Sequence, residues 1–204
     1  MDEPKLLRDK SAQNTRLSQV NEANVVELTD FVHRLRATMG PEAAIPYFDP
    51  WDGGVNAEAL FLLEAPGPKA RNSGFVSMNN QDETAKNLFE LINSAAIDRR
   101  RIAIWNIVPW YIGSGTKIRP ANSSDIARGL QSLEELLQLF KNLRVIVLVG
   151  AKAQKAADHI KYLAPEMALF SSSHPSPMFV NRRPENRDSI LNSWRAVRTF
   201  LDDS

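Results

Sequence analysis

The sequence predicts an α/β fold: a three-layer α/β/α sandwich around a central four-stranded parallel sheet. Three observations predict it. Apolar runs of strand length recur four times, at 59–63, 101–108, 144–149 and 168–172. Between them lie stretches whose apolar residues return every three to four positions, the spacing of one helix face. Each run stops at a breaker or sharp turn: APGP at 65–68, Pro109, Gly150 and HPSP at 174–177.

Taken in order, residues 1–20 are polar and are expected to be a flexible N-terminal tail, with residues 21–204 forming a single domain. Val25, Leu28, Val32 and Leu35 predict a helix that ends near Gly40-Pro41. IPYFDPWDGGVN (45–56) reads as a loop packed down by its aromatic residues. Ala59–Leu63 is the first buried strand. A helix from about Asp82 to Ala96 places Leu88, Leu91, Ile92 and Ala95 on one face. RIAIWNIV (101–108) is the second strand. Asn122 or Ser123 is the expected N-cap of a third helix, with Asp125 in its first turn and an apolar face running from Ile126 to Phe140. RVIVLV (144–149) is the third strand, and Ala153, Ala156, Ile160 and Leu163 mark another helix. Ala168–Ser172 is the fourth strand. Ile190, Trp194, Val197 and Leu201 mark the last helix.

Composition narrows the function classes. The chain has 204 residues, 43% apolar and 24% charged, which excludes collagenous, coiled-coil and wholly disordered chains. No apolar run approaches the ~18–20 residues that a membrane helix needs, so no membrane association is expected. The first residues lack the apolar core of a secretory signal, so an intracellular, bacterial-type cytoplasmic protein is expected. There is no cysteine, which removes disulfides, thiolate nucleophiles and cysteine-held metal clusters. His33, His159 and His174 lack the paired spacing of a zinc site. The net charge of +1 divides unevenly. Residues 1–100 carry 11 basic against 15 acidic side chains, and residues 101–204 carry 14 against 9. A basic second half suits a polyanionic partner.

In parallel α/β sheets, sites gather beyond the carboxyl ends of the strands. Here those ends carry Glu64-Ala65-Pro66-Gly67-Pro68, then Asn106 with Pro109-Trp110-Tyr111, then Gly150, then Ser171 to Pro177. No GxGxxG, GxxxxGK[ST] or GxSxG is present, which argues against dinucleotide, P-loop and serine-hydrolase chemistry.

Four segments in this order resemble the uracil-DNA glycosylase superfamily. LFLLEAPGP (60–68) resembles its first motif, in the GEAPG form, and HPSP (174–177) its second. WNIVPW (105–110) resembles the strand that carries the base-reading asparagine. VLVGAKAQKAA (147–157) resembles the passage before the second motif. The resemblance spans roughly residues 59–201. It implies a monofunctional, cofactor-free enzyme, acting as a monomer on single- or double-stranded DNA that holds uracil or an abasic lesion. Such an enzyme extrudes the nucleotide and hydrolyses its N-glycosidic bond in base excision repair.

The resemblance also assigns residues. His174 is the donor to the uracil oxygen, and Asn106 the amide that accepts from N3–H and donates to O4. Phe75 stacks on the base. Met178, with Phe179 as its rival, fills the gap left by the extruded nucleotide. Pro66, Pro68, Ser173, Pro175, Ser176 and Arg182 contact DNA, with Asn181 and Arg183 beside Arg182 as further phosphate contacts. This chain departs from the family at two places. Ala65 stands where other branches have Asp or Asn to hold water, leaving Glu64 as the carboxylate for the sugar cation or merely for strand-end amides. Gly67 stands where a tyrosine excludes thymine, which implies tolerance of larger or modified bases. The GEAPG branch usually carries four cysteines for an iron–sulfur cluster, and this chain has none. Three alternatives remain open: a non-catalytic binder of damaged or abasic DNA, a hydrolase of free nucleosides, and a glycosylase with a different base preference.

Overall fold

The computed structural model describes residues 2–40, 42–115 and 117–203. Its first elements are α1 (Lys10–Ser18), α2 (Val26–Met39), β1 (Tyr47–Phe48), β2 (Ala59–Leu63), α3 (Pro68–Ser73) and β3 (Phe75–Val76). There follow α4 (Glu83–Ser94), β4 (Ile102–Asn106), β5 (Gly113–Ser114), β6 (Lys117–Ile118), α5 (Ser123–Leu130) and α6 (Leu133–Leu139). The last are β7 (Val145–Val149), α7 (Ala151–Gln154), α8 (Ala157–Leu163), β8 (Ala168–Ser172), α9 (Pro177–Val180) and α10 (Pro184–Asp202). Pro41, the expected stop of the first predicted helix, lies outside the described residues, and α2 ends one residue before Gly40.

Four strands form one parallel sheet in the order β4-β2-β7-β8, as the four apolar runs predict. Leu63 pairs with Asn106, Leu62 with Leu148, and Val149 with Ser172, so all four carboxyl ends lie on one edge. From β2 the chain moves out to β4 and then crosses to β7 and β8 on the other side. The connections leaving β2 and β7 therefore diverge, and a crevice opens at that reversal. Adjacent residues of a strand face opposite layers. Phe61 meets Trp194 of α10 edge-on at 5.3 Å, while Trp105, one register step away, meets Phe31 of α2 at 6.2 Å and stacks on Phe48 at 3.9 Å. An Arg187–Glu90 pair joins α10 to α4 in one layer, and an Arg34–Glu135 pair joins α2 to α6 in the other.

Two predicted helices are each divided. The third has the Asn122–Asp125 capping box that its sequence suggests, but breaks at Gln131-Ser132 into α5 and α6. Ala151 to Leu163 likewise forms α7 and α8, separated at Lys155-Ala156. An unbroken apolar face does not require an unbroken helix, because two short helices present the same side chains to the sheet.

The N-terminal residues differ from the expected flexible tail. Leu6–Arg8 forms a 3-10 turn, and α1 follows with Asp9 as its N-cap, accepting from Ser11 N at 2.8 Å. Leu7 and Val20 are buried against Phe75. Arg16 is 1% exposed, ion-paired to Asp49, with its guanidinium 3.5 Å above the Trp51 ring. Arg99 reaches the same place, meeting Asp2, Asp49 and Asp52 at 2.7–2.8 Å. The anchors are polar, so apolar patterning does not reveal them.

Replacing a buried partner strands the other charge, at a cost of about 3–5 kcal/mol where no second partner remains. Asp49 keeps Arg99, so Arg16→Ala should lower stability by about 3 kcal/mol in urea unfolding. A change under ~0.5 kcal/mol, the level of an ordinary surface substitution, would mean that the N-terminal helix is loosely held after all.

Candidate active site

A cavity of about 460 Å³ opens at the carboxyl edge of the sheet, of a size that holds a small organic ring with room to spare. Its walls come from four places that the strand ends bring together. The turn Glu64–Pro68 follows β2, Asn106 closes β4, and His174 follows β8. The fourth wall is the chain from Val76 into the first turn of α4.

The two polar groups that matter most are unspent. The Asn106 side chain is 5% exposed, and among the described residues neither its amide nor the His174 ring has a hydrogen-bond partner. Neither is sealed away, since among the described residues the buried side-chain N or O atom without a partner is Asp52 Oδ2, so both groups are open to a ligand from the cavity. Burial lowers the His174 pKa below the usual histidine value, opposed by the negative charges of Glu64 and Asp82. The imidazole is therefore neutral at neutral pH, with one N–H to give.

His174 is held by its neighbours' backbone. Gly150, at φ +90°, takes the chain from β7 into α7 with a conformation that L side chains rarely adopt. A Cβ there would lie 3.0 Å from His174 Cβ and 3.3 Å from its ring. Gly150 N donates to Ser172 O at 2.8 Å, and Gln154 Nε2 donates to the same oxygen at 3.0 Å. Trp194 Nε1 donates to Ser172 Oγ at 2.9 Å. On the far side of the turn, the buried Asn87 amide of α4 donates to Pro175 O at 2.9 Å. The strand end and the turn are thus fixed on both sides of His174.

Glu64 has its Oε1 engaged. It accepts from Ala121 N at 2.6 Å, and Lys152 Nζ donates to Ala121 O at 2.6 Å. One carboxylate oxygen therefore does bond a loop amide. The other remains without a hydrogen-bond partner among the described residues, in a group that also lines the cavity.

Of the residues singled out in the sequence, Glu64, Ala65, Pro66, Gly67, Pro68, Asn106 and His174 line the cavity together. A Cβ on Gly67 would meet nothing within 4 Å, so this wall is open. Ser173, Pro175, Ser176, Met178, Phe179 and Arg182 lie outside the lining, on or just after the turn that carries His174. Met178 is 84% exposed in α9, whereas its rival Phe179 packs against the core. Arg182 is exposed.

Phe75 is not brought to the cavity. It is 1% exposed and packs in the small cluster with Leu7 and Val20, its ring 6.1 Å from that of Tyr47. The folded N-terminal segment offers this ring an apolar seat away from the cavity. Several lining residues escape motif reading: Ser77, Asn80, Ile118 and Arg119. The polar run SMNNQD between a short strand and a helix cap is the one signal that marks the first two. Among the described residues, no cluster of His, Asp or Glu is arranged to hold a metal ion. Nor is any helix there long and apolar enough to cross a membrane.

Comparison with known proteins gives the family and the fold. No curated protein sequence matches the chain. Among solved structures, SMUG2 of Pedobacter heparinus is similar over 90% of this chain and 87% of its own, at 13% identity and a TM-score of 0.53, which speaks for the fold alone. A mimivirus UNG variant solved in complex with UGI aligns over 83% of this chain and 72% of its own, at 14% identity and a TM-score of 0.42. The family model "Uracil DNA glycosylase superfamily" matches residues 50–198, which include both motifs and every strand of the parallel sheet. The chain belongs to the uracil-DNA glycosylase superfamily.

Proposed function

We propose that this protein is a monofunctional DNA glycosylase that extrudes uracil from DNA and hydrolyses its N-glycosidic bond, leaving an abasic site. The observation that carries the reading is the pair of unpartnered groups, the buried Asn106 amide and the neutral His174 ring, at one cavity. One amide offers an acceptor to uracil N3–H and a donor to O4. Cytosine presents the reverse pattern and would leave both buried groups unpaired.

Breaking the C1′–N1 bond sends its electron pair to the base, and the charge spreads from N1 to O2. The His174 N–H stabilises that developing charge without becoming ionised itself. The sugar is left electron-poor at C1′ and takes the oxygen of water, whose released proton passes to solvent and so to the uracil anion, which leaves as neutral uracil. The free oxygen of Glu64 is the carboxylate that we assign to the sugar cation, with Ala121 and Lys152 fixing its orientation. The exposed Met178 is the apolar side chain that we assign to the gap in the duplex, and Arg182 to a phosphate. The open wall at Gly67 suits bases larger than uracil, including pyrimidines substituted at C5.

One observation favours a second reading. Ala65 brings no group that could position water, so a protein that binds lesion DNA without releasing the base is the competing assignment. An oligonucleotide holding one uracil separates the two. Treatment with the protein and then alkali cleaves the strand at uracil on our reading, and leaves it intact while still bound on the other.

His174→Ala should lower the rate of base release roughly 100- to 1000-fold, the usual cost of losing one such donor. Ring NMR should place the His174 titration below the ordinary 6.5, and a midpoint at or above it would remove the neutral donor. Gly150→Ala keeps every polar group but displaces His174, so roughly a 100-fold loss is expected in the same assay. An unchanged rate would show that the contact between them does not set the geometry. Gly67→Tyr should cut release of thymine-sized bases about 10-fold more than release of uracil. Equal losses on both would mean that this wall does not select the base.

A further inference from the structure

Beside these four walls, the cavity borders a hairpin that neither motif covers. β5 and β6 pair antiparallel, Gly113 with Ile118 and Ser114 with Lys117, and all four residues are exposed. Among the described residues, four large apolar side chains are exposed: Leu17, Ile118, Tyr162 and Met178. Of these, Ile118 alone lines the cavity, with 46% of its surface still open to solvent.

Single exposed apolar residues are common on protein surfaces and need no explanation when their element is loose. This one sits on a built element. The Tyr111 hydroxyl is shared between Gly115 O at 3.0 Å and Lys117 O at 3.1 Å, bracing the hairpin from inside. A Cβ on Gly113 would lie 2.4 Å from that hydroxyl and 2.2 Å from Lys117 O, so the brace needs glycine there. Arg71 of α3 lies over the Tyr111 ring at 4.7 Å, tying the hairpin to the helix that begins at Pro68. Just beyond Ile118, Arg119 makes a two-point pair with Asp125 at 2.6 and 2.9 Å, and Ala121 is held by Glu64 and Lys152. Ile118 is therefore fixed at a cavity rim by contacts on both sides, half out of water and half over the cavity.

The cavity also lacks something that a flat base needs. No Phe, Tyr or Trp lines it among the described residues, so no aromatic ring there stacks on a bound base and aliphatic side chains are the apolar surface on offer. Val76, Leu88 and Ile104 are aliphatic lining residues that are already buried. Leu63 is half-buried at the end of β2, and Ile118 is the large apolar lining side chain that stays exposed.

We propose that Ile118 is a substrate-contacting residue: the hairpin lays it against the base and deoxyribose of the extruded nucleotide, with exposed Lys117 beside it for the adjoining phosphate. This rests on the glycosylase reading above. Loss of the contact would weaken the hold on the nucleotide before and during bond breaking alike, so it belongs in KM rather than kcat.

Steady-state base release from a single-stranded uracil oligonucleotide tests it, with Ile118→Ser, Ile118→Leu and, as a distant exposed control, Leu17→Ser. Ile118→Ser should raise KM roughly 10-fold with kcat nearly unchanged, Ile118→Leu should restore most of the loss, and Leu17→Ser should match wild type. Ile118→Ser within twofold of wild type in both constants, or a Leu17→Ser effect of the same size, would overturn the proposal while leaving the glycosylase reading intact. Binding of an abasic oligonucleotide, measured by fluorescence anisotropy, keeps the two separable. If wild type releases no base yet Ile118→Ser binds that oligonucleotide about tenfold more weakly, the contact stands and the catalytic reading falls. Equal binding by both proteins in that case overturns both.

Discussion

The contact between Gly150 and His174 is the constraint on which the site turns. Two adjacent parallel strands must deliver a glycine backbone and a histidine side chain to the same point, one at the end of β7 and the other just past β8. Parallel pairing places the ends side by side, the Val149–Ser172 register sets their level, and the absent side chain at Gly150 lets them touch. The bonds that Ser172 accepts from Gly150, Gln154 and Trp194 then hold that level. Once His174 is fixed there, the reversal of connections between β2 and β7 leaves the crevice open in front of it, and Asn106 faces the same space from β4.

A second, polar layer supports the opposite wall. Asp49 accepts from Ser77 Oγ and from Arg16 and Arg99, while Arg99 also reaches Asn79 and Asp2. Ser77 lines the cavity, so the N-terminal residues are linked to its wall through one buried carboxylate. The two guanidinium groups hold Asp49 below the usual carboxylate range despite its burial. Burial outweighs the same cations at Asp52, whose pKa is pushed up to about 7 and whose Oδ2 is buried without a hydrogen-bond partner. Two carboxylates so close are not both stabilised by the same pair of arginines. Arg99 lies 2.7 Å from both, and the added contacts from Arg16 and Ser77 favour Asp49, the one that touches the cavity wall.

The four strands were legible because a buried parallel strand must be apolar along its length, whereas their order β4-β2-β7-β8 comes from the fold alone. The cavity itself was legible at Glu64–Pro68, Asn106 and His174, since those positions follow strand ends. What lay hidden has a physical reason in each case. The N-terminal segment is fastened by Arg16 and Gln19, whose side chains read as solvated until their partners Asp49 and Trp51 are known. Phe75 is an aromatic at a plausible distance from the first motif, but its seat is decided by Leu7 and Val20, about 70 and 55 residues earlier in the chain. Ile118 and Arg119 reach the cavity only because Arg119, Ala121 and Tyr111 fold the hairpin back, and nothing in local patterning announces that. The first-motif turn is held through Glu64 by Ala121, which Lys152 holds in turn, a support that reads from the fold and not from the sequence.

The central claim is that the free Asn106 amide and His174 ring read uracil as a pair. It is tested most directly by NMR of the side-chain Asn106 amide and His174 ring on adding an oligonucleotide with one 2′-fluoro-2′-deoxyuridine, whose fluorine slows loss of the base. Both signals should shift together and saturate, while the same oligonucleotide carrying cytosine at that position leaves them in place. Shifts of equal size with cytosine, or none with uracil despite binding, would contradict the account.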